Sequence, residues 1–114
     1  MMDLNKAAKD SFEIAVKRHL NGANICPETL RMLKHCATEV VEATNAYTIF
    51  DTMRQLKKDD FSLNEYRKDF QRELADVIVC ILIICGNEEI NAEEIVLNCI
   101  EKNRKRANKT GDKL

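Results

Sequence analysis

At 114 residues, with 45% hydrophobic and 32% charged side chains, the chain is long enough for one domain with a real core. Three Gly and one Pro argue for helices and against strand-rich folds with many tight turns. A formal net charge of −1 excludes a global attraction to nucleic acid or to an acidic membrane, so neither is expected as a partner.

The charge is unevenly spread. Residues 101–114 hold six Lys/Arg against Glu101 and Asp112, a net +4, which leaves −5 on the first hundred residues. The opening Met1-Met2-Asp3-Leu4-Asn5-Lys6 lacks the apolar core of a signal peptide. The five cysteines are odd in number, form no Cys-x-x-Cys and fall mostly within apolar helical segments. They read as reduced, buried thiols of a cytoplasmic protein rather than as disulfides or a thiolate metal site.

The first helix is expected over about residues 4–20, with Leu4, Ala8, Phe12, Ala15 and Val16 as its apolar stripe. Asn21-Gly22-Ala23-Asn24 ends it, since Gly and Asn accept the left-handed conformation at helix C-termini. A second helix begins near Ile25-Cys26-Pro27-Glu28, with Pro27 suited to the first helical position, and runs to about Lys57. Lys57-Lys58-Asp59-Asp60 is a polar connection, and Ser62-Leu63-Asn64-Glu65 has the form of a capping box that opens the third helix.

That helix should run to Cys85 and stop at Gly86. It contains nine consecutive apolar residues, Val77 to Cys85, far short of the roughly 20 needed to span a bilayer. The run reads as a helix buried all round. Asn91-Ala92-Glu93-Glu94 opens a fourth helix, carried by Ile95, Leu97, Cys99 and Ile100. The expected fold is all-α, a four-helix bundle-like single domain over residues 1–106, followed by a polar, basic tail over 107–114.

Two pairs of carboxylates stand within apolar surroundings. On a helical wheel Glu39 falls among Met32, Ala43, Ala46, Ile49 and Phe50, and Glu42 sits at the edge of that group beside Ile49 and His35. Glu73 and Asp76 repeat the spacing at the entrance to the apolar run, three residues apart on one face. A buried carboxylate is costly unless a cation meets it, so something is expected to neutralise Asp76. Two helices each presenting such a pair can bring four acids together, and close carboxylates must take up protons or hold cations. Oxygen ligands without Cys or a paired His suit Mg²⁺ or Mn²⁺. A di-iron bundle would need Glu-x-x-His, and neither His19 nor His35 stands three residues after a Glu.

Glu101-Lys102-Asn103-Arg104-Lys105-Arg106 closes the fourth helix, with Lys102 and Arg106 on one face. Complementing the helix dipole is the plain reading and a nucleic-acid arm a second. Phosphate capture is the functional one, with Arg as a fork and Lys as a point charge.

Together these residues resemble the MazG-like, all-α nucleoside triphosphate pyrophosphohydrolases. The resemblance rests on Glu39/Glu42 within Thr38-Glu39-Val40-Val41-Glu42-Ala43 and on Glu73/Asp76 within Arg72-Glu73-Leu74-Ala75-Asp76-Val77. It extends to Leu33-Lys34-His35-Cys36-Ala37 and to Lys102-Asn103-x-x-Arg106, covering roughly residues 30–111 in order. Many members have two adjacent Glu where this chain has Thr38-Glu39, and a Lys-His-Gly-Lys tail where it has Lys109-Thr110-Gly111-Asp112.

The resemblance implies Mg²⁺-dependent cleavage of a nucleoside triphosphate to monophosphate and pyrophosphate, by a homodimer or homotetramer. Glu39, Glu42, Glu73 and Asp76 would be the metal-binding and catalytic set. Lys102, Asn103, Arg106 and His35 would contact substrate, and Phe12 is a candidate for the base pocket. A non-catalytic helical interaction module, or a divalent-cation binding protein, is the alternative.

Overall fold

The computed structural model describes residues 2–108, so the segment of residues 109–112 that was compared with the family tail lies outside the described residues. Four helices follow one another: α1 (Leu4–Leu20), α2 (Thr29–Gln55), α3 (Asp60–Asn87) and α4 (Ala92–Ala107). No strand occurs among the described residues. No helix among them is long and apolar enough to cross a membrane.

The helix starts are set by short polar side chains that accept the free N–H groups of a first turn. Asp3 caps α1, accepting from the Asn5 and Lys6 amides at 2.9 and 3.3 Å. At its other end Gly22 takes φ +86°, as the turn demands. For α2 the cap is Glu28, which accepts from the Leu30 and Arg31 amides. Pro27 therefore precedes the cap instead of occupying the first helical position.

α3 begins earlier than the capping-box reading placed it. Asp59 is the cap, and Ser62 donates to it from both its amide (3.2 Å) and its hydroxyl (2.8 Å). A carboxylate accepts more strongly than a hydroxyl, so the serine becomes the donor of the box rather than its cap. Gly86 also has another role than stopping the helix. α3 runs on to Asn87, and the left-handed residue is Glu89, at φ +54°.

α2 and α3 form an antiparallel hairpin. Its register is visible in Tyr47, whose ring lies 5.1 Å from that of Phe70. α1 packs on α3, and between the helices Ala15, Met32, Cys80 and Ile83 make one buried cluster, with Phe12, Ile25, Cys36 and Ile84 against it. Ala8, Cys85 and Ala92 make a second. All five cysteines are free; Cys80 and Cys85 are buried, and burial pushes the Cys80 thiol up to about 11.

α4 meets the rest of the chain by its first turn. Asn91 caps it, and Asn5 of α1 reinforces the cap. The Asn5 Oδ1 accepts from the Ala92 and Glu93 amides (2.7 and 3.3 Å), while its Nδ2 donates to Asn91 Oδ1 at 2.9 Å. Beyond that turn α4 does not lie along α2 and α3. The radius of gyration is 17.3 Å, where a compact chain of this length would have about 13 Å.

The all-round burial expected for residues 77–85 is therefore not found within the chain. Cys80, Ile83 and Cys85 are buried, whereas Ile78 is 55% exposed and Ile81 47%. α1 and α2 cover one side of α3, and the helix that would close the other side turns away.

Candidate metal centre

The hairpin register brings the two acidic pairs face to face. Glu39 and Glu42 lie one turn apart on α2, and Glu73 and Asp76 one turn apart on α3. One carboxylate oxygen from each of Glu39, Glu42 and Glu73 can be chosen so that all three lie within 4.8 Å of one another. That spacing suits three ligands around one small cation. Glu39 is nine-tenths buried, Glu73 is half-buried and Glu42 exposed.

Two oxygens of this cluster lack partners. Glu39 Oε1 meets His35 Nε2 at 3.0 Å, but Glu39 Oε2 is buried with no hydrogen bond, as is Glu73 Oε2. A buried polar atom without a partner is costly and rare in folded chains. Burial pushes the Glu39 carboxyl above its ordinary range, and the nearby Glu42 adds to the shift, which His35 only partly opposes. Burial raises Glu73 too, followed by the charges of Glu42 and Asp76. The chain thus concentrates negative charge and leaves two acceptors open. An oxygen-only donor set with open acceptors fits a hard divalent cation, Mg²⁺ or Mn²⁺.

Asp76 differs from the expectation. It is exposed and lies outside the cluster of three, so the cost of burial falls on Glu39 and Glu73. On α3 it shares a face with Glu73, Cys80 and Ile83, and it lines a cleft together with Glu39. It still adjoins the cluster, since its charge acts on both Glu39 and Glu73.

Clefts flank the cluster on both sides. One, of about 320 Å³, has Glu39 and Asp76 in its wall with His35, Arg18 and Asn24. The other, of about 570 Å³, is lined by Glu42 and Glu73 with Asn45, Tyr66 and Arg72, and Arg72 is held by Asp69 at 2.6 Å. The sequence reading passed over Arg18, Asn45 and Tyr66. Tyr66 shares the face of Asp69 and Glu73 at helical spacing and was open to detection. Arg18, in the last turn of α1, reaches the cleft because α1 packs on α3, a tertiary contact that no local spacing signals.

Other expected site residues are not brought together with the acids. Phe12 packs against the core cluster and beside Gly86, thirteen residues beyond Glu73, or about 20 Å along α3. Lys102, Asn103 and Arg106 lie on α4, and none lines either acidic cleft. Asn103 donates to the Cys99 sulfur of its own helix, at 3.9 Å. Comparison with protein-family models, with curated proteins and with solved structures finds no match.

Proposed function

We propose that this chain is a Mg²⁺-dependent nucleoside triphosphate pyrophosphohydrolase that acts as a homo-oligomer, either dimer or tetramer. One observation carries the reading: three glutamates on facing helices with two buried, unpartnered carboxylate oxygens between them. The paired acidic motif and its resemblance to MazG-like enzymes supply the reaction class.

Glu39, Glu42 and Glu73 would hold the cation. When bound, Mg²⁺ supplies charge neutralisation for the phosphates and acidifies a water for in-line attack. Asp76, beside the cluster but outside it, is the carboxylate left to take the proton from that water. Arg18, in the wall shared with Glu39 and Asp76, is a guanidinium placed to steady phosphate charge within the chain. The clefts of about 320 and 570 Å³ fall in the range of small-molecule sites.

The oligomer is supported by apolar surface that one chain leaves open. Leu33, Val41 and Ile49 on α2, Ile78 and Ile81 on α3, and Ile95 and Leu97 on α4 are all 47–58% exposed. Isolated apolar residues need no partner, but this many exposed across three helices support one.

A second reading, a divalent-cation protein without hydrolysis, is favoured by the absence of Lys102 and Arg106 from the acidic clefts. Incubation with a panel of ribo- and deoxyribonucleoside triphosphates and Mg²⁺ separates the two. Pyrophosphate as the first product supports the proposal, orthophosphate as the first product sinks it, and cation binding with no product favours the second reading.

A further inference from the structure

His35 and Glu39 stand four residues apart on α2, a spacing at which side chains of one helix meet. Their pairing differs from an ordinary surface pair. In Lys6–Asp10, at the same spacing, the side chains are 73% and 48% exposed, whereas the Glu39 side chain is 12% exposed. The His35 ring nitrogen takes one carboxylate oxygen at 3.0 Å and leaves the other, Oε2, buried and without a partner. Had the pairing served only to make burial of Glu39 tolerable, it would have left no open acceptor beside Glu42 and Glu73. A carboxylate free at both oxygens can rotate, chelate with both or turn away from like charges nearby. One pinned at Oε1 offers a single oxygen in a fixed direction.

We propose that His35 is a positioning residue that pins Glu39 through Oε1, so that Glu39 presents Oε2 alone to a divalent cation. The inference rests on the reading of Glu39, Glu42 and Glu73 as a cation site. It replaces the expectation that His35 contacts substrate directly. Groups that orient a metal ligand from behind affect affinity by about 10- to 100-fold when removed.

The test is Mn²⁺ titration of the full chain, with free Mn²⁺ read by electron paramagnetic resonance and no nucleotide present. His35→Phe keeps a ring and loses the donor, while His35→Gln loses the ring and keeps a donor. The expected result is a Kd for Mn²⁺ about 10- to 100-fold weaker in His35→Phe, with most of the loss recovered in His35→Gln. Should His35→Phe not fold, His35→Ala takes its place in the same comparison. Wild-type affinity in the donor-less variant overturns the inference and leaves the cation site standing. Equal losses in Phe and Gln variants also overturn it, since a general packing effect would act on both. A wild-type chain that binds no Mn²⁺, or a Glu39→Gln variant that binds as wild type, overturns the cation site itself and this inference with it.

Discussion

Gly86 and Ala8 meet so closely that a Cβ on Gly86 would lie 2.6 Å from the Ala8 carbonyl oxygen, and 2.5 Å from the Phe12 Cβ. The glycine lets α1 cross α3 backbone to side chain, and that crossing carries both buried clusters.

Gly86→Ala sets two effects against each other. Alanine favours a helix over glycine by up to about 1 kcal/mol. Overpacking against backbone costs about 1–3 kcal/mol, because a carbonyl held in a helix cannot step aside. The expected outcome is a net loss of about 1–2 kcal/mol, read as a lower midpoint in urea, with Mn²⁺ affinity unchanged at a cluster far along α3. A variant as stable as wild type would mean that the crossing relaxes freely.

The raised carboxyls of Glu39 and Glu73 give a pH dependence of definite sign. Their ordinary value is 4.5, and burial lifts both above it in the folded chain. The folded state therefore holds protons that the unfolded state has released. Stability from this source is complete below about 4.5 and is lost as pH rises through the raised values. A cation that binds only the folded chain removes the penalty and adds about 2.7 kcal/mol at a hundredfold excess over Kd. Mg²⁺ or Mn²⁺ should raise the melting temperature over EDTA more at pH 8 than at pH 5. Glu39→Gln should shrink the shift at pH 8 most. Equal shifts at both pH values in wild type and variant would place the cation elsewhere.

The boundaries of α1, the Asn91 cap and the facing acidic pairs were legible because each follows from local spacing. What the sequence hid is which side of α3 would be covered. Val77 to Cys85 is apolar all round, so it cannot say that α1 and α2 take one side while α4 leaves the other bare. α4 carries Ile95, Leu97 and Ile100 like any core helix, and nothing in that pattern distinguishes packing on its own chain from packing on another. Ser62 read as a cap because it resembles one. The stronger acceptor, Asp59, stood three residues earlier in the supposed linker.

The bare faces of α3 and α4 should pair in solution. Light scattering after size exclusion is expected to give a dimer or tetramer, and Ile78→Glu should shift it toward monomer. A wild-type monomer at micromolar concentration would leave those residues unexplained and remove the oligomer from the proposal.

Lys102→Ala and Arg106→Ala should lower kcat/KM while the melting temperature barely moves, since cations near a helix end, Lys102 exposed and Arg106 half-buried, contribute little to stability. Both lie away from the acidic clefts within one chain, so a loss of rate would show that the assembly brings them to substrate. Unchanged kinetics would return them to dipole complementation at the end of α4.

The central claim is that Glu39, Glu42 and Glu73 serve one cation and one reaction. Its most direct test is the rate of pyrophosphate release from a nucleoside triphosphate at saturating Mg²⁺, for wild type, Glu39→Gln, Glu42→Gln, Glu73→Gln and Asp76→Asn. Each of the three glutamine variants should lose at least about 10²-fold, the scale of a single electrostatic group, with Asp76→Asn also impaired through proton transfer. Near-normal rates in any two of the three glutamine variants would contradict the shared site.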